Sequence, residues 1–163
     1  MTKSNQPIPP GHENLIPHLI CDPCSEAIDF YKKAFGAEEI HRMLDPTSGR
    51  IMHASIRFDN CIVYLNDDFP ETCGGQSQTA ISLKGTPLTL HHYVKDCDAA
   101  FNRAIAAGAT TLMPPSDMFW GDRYSVVVDP YGHRWSFATH QQDMSSAEMQ
   151  AAVNDACAPA AKA

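Results

Sequence analysis

The chain has 163 residues, 44% hydrophobic and 19% charged, which suits one compact globular domain and excludes a disordered chain. Its formal net charge of −7 argues against a phosphate-tracking basic surface, so no nucleic acid is expected as partner. No run approaches the roughly 18 apolar residues of a membrane span, and "MTKSNQPIPPGHEN" has no signal-peptide core, so no membrane partner and a cytoplasmic, reducing location are expected.

Residues 1–13 are polar with three prolines and read as a flexible N-terminal arm. "LIPHLIC" (15–21) reads as a strand. The helix after it places Ala27, Ile28, Tyr31, Ala34 and Phe35 at helical spacing and stops at Gly36. "EEIHRML", "RIMHASIRF" and "CIVYL" read as three strands, the last two joined by a two-residue "DN" turn. A looser stretch covers 67–86, and then the order repeats. "LTLHHYV" is a strand, "DCDAAFNRAIAAGA" a helix closed by Gly108, and "TTLM", "RYSVVV" and "HRWSFAT" are strands, with Met113-Pro-Pro-Ser between the first two as a loop. In the tail, Ser145 and Glu148 have the spacing of a capping box before a short helix.

The repetition shows in the numbering. His18 and His91 are 73 apart (91 − 18), as are Cys24 and Cys97; Tyr64 and Ser136 are 72 apart (136 − 64). The chain therefore reads as an α+β protein of two βαβββ modules, 14–66 and 87–141, joined by a linker over 67–86 and followed by a C-terminal helix and tail over 142–163. A unit present only twice points to a pseudo-twofold pair and not to a solenoid.

Strand alternation assigns the faces. Met52, Ala54, Ile56 and Phe58 are expected under a helix, with His53, Ser55 and Arg57 opposite. Trp135 and Phe137 likewise face a helix, while Arg134, Ser136, Ala138 and His140 face away. Leu88, Leu90 and Val94 form a core set, and Thr89, His91 and Tyr93 lie opposite, as do Ile16, His18 and Ile20 on the opening strand. The helix-free faces are polar and rich in histidine, and two such curved sheets are expected to form an open barrel around a cleft.

"AIDFYKKAFGAE", "DAAFNRAIAAGAT" and "DPYGHRWSF", in this order, resemble the vicinal-oxygen-chelate superfamily of glyoxalase I, bleomycin-resistance proteins and extradiol dioxygenases. With "MHASIRF", "TLHHYV" and "FWGDRY" the resemblance is greatest to its PhnB-like subgroup. It covers roughly residues 14–141 and implies a homodimer. In metal-using members one ligand sits on the first and one on the last strand of each module; those positions here are Ile16, Tyr64, Thr89 and Ser136. Isoleucine has no donor, and neutral hydroxyls are weak ligands for a divalent metal. The resemblance thus implies no metal and no other cofactor here. The alternative is a displaced metal site on His18 and His91, two residues further along each strand, with His53 or His140; carboxylates are scarce on this face.

The segment "FWGDRYSVVVDPYGHRW" divides in two. Asp129, Pro130 and Gly132 read as the staple of a turn, whereas Phe119 and Trp120, with a flexible Gly121, are expected to close over a ligand, held with Asp122 and Arg123. "CDPC" has redox-pair spacing, and a helix start at Cys24 could lower its thiol pKa; the plainer reading is that both cysteines are small buried groups, as at Cys97. The function expected is binding of a small, possibly aromatic molecule. Phe119, Trp120, Tyr64 and Tyr93 would stack on it, His91, Arg134 and Asp122 would orient it, and His18, His53, Thr89, Arg123 and Ser136 would complete the lining. The enzymatic alternative is a lyase, isomerase or dioxygenase that uses the displaced metal, or His91 as general base. A purely structural role has the least support.

Overall fold

The computed structural model describes residues 5–156; the first four residues of the expected arm, and Cys157 with the rest of the tail, lie outside the described residues. The chain forms two units, Met1–Thr86 with Pro130–Gly132, and Pro87–Asp129 with His133–Ala163.

The first unit contains β1 (His18–Ile20), α1 (Cys24–Phe35), β2 (Glu38–Leu44), β3 (Ile51–Phe58) and β4 (Cys61–Asn66), in the sheet order β1-β4-β3-β2. β1 runs parallel to β4 with His18 opposite Tyr64, and the other pairs are antiparallel. β1 is shorter than alternation suggested: Pro17 has no N–H to give a ladder, and Leu15 is exposed. The expected helical stripe is buried, joined by Phe30, whose ring meets that of Tyr131 edge-on at 6.3 Å. Gly36 ends the helix in the left-handed conformation that favours glycine (φ 75°).

The second unit repeats the plan with β5 (Thr89–Tyr93), α2 (Cys97–Ala107), β6 (Thr110–Asp117), β7 (Asp122–Val128) and β8 (Arg134–His140), in the order β5-β8-β7-β6. β5 runs parallel to β8 with His91 opposite Ser136. Both sheets are open, mixed and covered by a helix on one face, so the α+β class and the two βαβββ modules hold. Asp96 caps α2 by accepting from the Ala99 N–H. The chain continues into α3 (Ser146–Ala156), where Glu148 accepts from the Ser145 N–H at 2.8 Å and donates its own N–H to Ser145 Oγ, the capping box expected from the spacing.

Alternation failed at three places, each with a physical cause. Met52 is 52% exposed while Ile51 is buried, because the pairing slips one residue between Met43↔His53 and Leu44↔Ile51; the bulge turns Met52 out and Ile51 in. Met113-Pro-Pro-Ser belongs to β6 and is not a loop: this is an edge strand with two register shifts, where missing N–H groups cost no ladder bond. Leu88 precedes the strand and is exposed, so the core set there is Leu90, His92 and Val94, all half-buried.

A buried carboxylate ties the first unit together. The helix cap, Pro23, offers no side-chain bond, and Asp67 takes that role from 43 residues away, accepting from Cys24 N–H at 2.6 Å and from Ile51 N–H at 2.5 Å. An Asp67→Ala variant leaves both buried donors unpaired and should lose about 3 kcal/mol of stability, read from the urea unfolding midpoint. An unchanged midpoint would remove Asp67 from this role.

Candidate functional site

On the helix-free face of the first sheet the register places His18 beside Tyr64 and Tyr64 beside Ser55. The His53 ring lies 4.6 Å from that of Tyr64 and 6.2 Å from that of His18, and His53 Nε2 is 3.3 Å from Ser55 Oγ. Thus three expected residues, His18, His53 and Tyr64, come together. Two more histidines join them. His41 lies 6.5 Å from His53, and His12 lies 6.1 Å from Tyr64. His41 was hidden because the register of β2 shifts at Ile40, and His12 because it lies in the polar arm.

On the helix-free face of the second sheet the centre is Asp122, only 4% exposed. Its Oδ2 accepts from Tyr93 Oη and Trp120 Nε1, each at 3.1 Å, and its Oδ1 lies 2.8 Å from His140 Nδ1. The carboxylate therefore fixes three rings. The bond to Asp122 also raises the Tyr93 phenol pKa. His91 packs edge-on to Tyr93 at 4.7 Å, stacks with Tyr124 at 6.0 Å and 19°, and holds Ser136 Oγ at 2.9 Å through Nδ1. Trp120 meets Tyr124 edge-on at 5.5 Å and Phe119 at 4.9 Å. Tyr124 is a further residue that sequence reasoning missed, although period-2 alternation from Asp122 along "DRY" puts it on this face.

Gly121 is tied into the turn by backbone hydrogen bonds. Its carbonyl accepts from Gln141 and Gln142 N–H, its own N–H donates to Met118, and Met118 N–H donates to Asp122. At φ 94°, an added Cβ would sit 2.5 Å from the Gln142 carbonyl, so glycine is required in this turn. Arg123 points to the other face, where it forks onto Asp98 with two 2.8 Å bonds and reaches Asp117 at 3.2 Å. Arg134 and Thr89 pair with each other at the start of β8 and β5. Asp129 is a staple as expected, accepting from His133 N–H and Trp135 Nε1 at 2.9 Å each, and Gly132 has the positive φ of 87° its turn needs.

Cys21 and Cys24 are fully buried free thiols. Burial, with Asp67 beside it, pushes Cys24 up to about 12, so the helix start does not lower it. Burial raises Cys97 as well. The inherited metal positions do not make a donor set: Ile16 has none, and Ser136 Oγ is engaged by His91. Among the described residues no group of three or more His, Cys, Asp or Glu is arranged to hold a metal ion.

The family model described as "Glyoxalase/Bleomycin resistance protein/Dioxygenase superfamily" matches residues 16–137. The uncharacterized protein Rv0887c of Mycobacterium tuberculosis is 49% identical over 140 residues, 86% of this chain and 82% of that protein. Its counterpart Mb0911c of Mycobacterium bovis has the same identity, covering 91% of its length. Among solved structures, TioX from Micromonospora sp. ML1 is 26% identical with a TM-score of 0.58, covering 82% of this chain and 100% of that one. The Arabidopsis thaliana gene product AT5G48480 is 26% identical with a TM-score of 0.62, covering 77% and 98%.

Two histidines give opposite pH responses. Bonds to Asp143 and then Asp122 raise the His140 pKa, so its stabilisation is complete below its ordinary value of about 6.5 and is lost as pH rises through the raised value. Burial, then His18 and His41, lower that of His53, so its contribution is present above about 6.5 and is lost as pH falls through the lowered value. His140→Gln should flatten the alkaline decline in unfolding midpoint and leave the acid limb intact, while His53→Gln should do the reverse. Urea midpoints measured from about pH 5 to about pH 9 check both signs.

Proposed function

From the premise that the chain belongs to the Glyoxalase/Bleomycin resistance protein/Dioxygenase superfamily, we propose that it binds a small planar aromatic molecule without a metal. It does so against the wall of Trp120, Tyr93, Tyr124 and His91. The observation that carries this reading is the convergence of Tyr93 Oη, Trp120 Nε1 and His140 Nδ1 on one buried carboxylate. Rings whose polar edges are tied down keep their faces for a ligand: Tyr93 is 58% exposed although its hydroxyl is bonded. Such an arrangement needs little further ordering on binding, and each well-placed ring pair adds about 0.5–1.5 kcal/mol beyond area burial.

A second reading has its own support. Ser136 Oγ at His91 Nδ1 orients the imidazole, so a tautomer with Nδ1–H donating leaves Nε2 as a proton acceptor, the arrangement of a general base. The same proposal places the protein in the PhnB-like branch of the superfamily, as a cytoplasmic homodimer. The strings quoted above support the branch; no helix among the described residues is long and apolar enough to cross a membrane.

The test uses the two tryptophans. Titration with 2-naphthol, a neutral planar probe, should quench Trp120 and leave Trp135, 3% exposed, unchanged; Trp120→Phe should abolish the response. Asp122→Asn should weaken binding about tenfold by releasing the rings. Unchanged emission up to ~1 mM probe would sink the aromatic-wall reading. In a screen for turnover, loss with His91→Gln at unchanged affinity would identify the general base.

A further inference from the structure

The first unit has a pocket of about 210 Å³ that shares no residue with the aromatic wall. Ile20, Met52, Phe69, Thr72 and Cys73 line it, and so does Asp68. Three observations indicate what it would take.

The walls are apolar, and one of them results from the β3 bulge. The slip at Met52 turns that side chain out of the core and onto the rim, where it is 52% exposed. The volume matches roughly seven water-sized shares of liquid, enough for a single six-membered ring with a short substituent.

Asp68 is 8% exposed; its Oδ1 accepts from Gln78 N–H at 3.1 Å, and Oδ2, which no described residue donates to, is the oxygen left open to solvent. The nearby cation does not serve it. Arg50 gives one arm to the Asp68 carbonyl at 2.7 Å and the other to Glu71, and its guanidinium lies 4.1 Å above the Phe69 ring. Asp67, next in the chain, has already committed both oxygens to backbone N–H groups. A ligand that brings a donor to this oxygen gains a charge-assisted hydrogen bond beside an apolar wall.

We infer that this pocket binds a small molecule combining one apolar ring with a protonated amine, the ring against Ile20, Met52 and Phe69 and the ammonium on Asp68 Oδ2. A neutral analogue binds more weakly and an anionic one is repelled by the same carboxylate. The aromatic wall is not needed for this binding, so the two sites can fail separately.

Cys73, an exposed free thiol on the pocket wall, reports occupancy, and the exposed Cys61 is the internal reference. Iodoacetamide labelling of the full chain, mapped by peptide mass, is followed with benzylamine, benzyl alcohol or benzoate at ~10 mM, the range in which fragments of this size bind. Benzylamine should slow labelling of Cys73 about fivefold with Cys61 unchanged, benzyl alcohol less, and benzoate not at all. Asp68→Asn, which keeps the acceptor for Gln78, should erase the preference for the amine. No protection by benzylamine, equal protection by benzoate, or an unaltered preference in Asp68→Asn would overturn the assignment. If that variant does not fold, the three-probe comparison on the unmodified chain decides alone.

Discussion

The parallel pairing of a short first strand with the last strand of the same module is the constraint on which the rest depends. A parallel pair cannot be closed by a hairpin, so a crossover must carry the chain back, and here the helix and two further strands supply it. That connection puts the helix on one face and leaves the other uncovered by helix. It also sets which residues stand side by side there: His18 with Tyr64, and His91 with Ser136. The spacings of 73 and 72 in the sequence are this register in another form.

For that reason much of the fold was legible in advance. Helix ends were marked by Gly36 and Gly108, the hairpin by Asp59-Asn60, and the final cap by Ser145 and Glu148. What was not legible is where pairing slips. A bulge inserts one residue with no signal in composition, and every side chain beyond it changes face. Met52 was misplaced and His41 missed for this one reason. Pro114 and Pro115 misled differently, because a proline pair signals a loop unless the strand is known to lie at an edge. Tyr124 carried a usable signal, the alternation from Asp122, and only the bonding of Asp122 makes its importance plain.

Three buried carboxylates show one residue type serving different kinds of partner. Asp67 binds two backbone N–H groups, and Asp129 binds a backbone N–H and an indole that is itself buried. Both serve groups that have nothing left to offer a ligand. Asp122 is as deeply buried but holds the polar edges of Tyr93, Trp120 and His140, whose remaining surfaces are open to differing degrees. Burial alone therefore does not tell these carboxylates apart. What their partners still expose does.

The same criterion explains how the two modules have diverged on one backbone plan. Ala54 pairs with Leu65 and Ser125 with Phe137, so the residues just before them, His53 and Tyr124, occupy equivalent places, 71 apart (124 − 53). In the first module that place holds a histidine among histidines, with burial and its neighbours opposing its charge. In the second it holds a tyrosine within a ring cluster anchored by Asp122. Repetition preserved the register and not the chemistry: one face gathers histidines, and the other gathers rings around a carboxylate. At the positions where metal-using relatives carry ligands, the first module has Ile16, which has no donor, and in the second the Ser136 hydroxyl is bonded to His91. At equivalent positions of one backbone plan the two modules therefore carry different side chains, histidines on one face and oriented rings around Asp122 on the other.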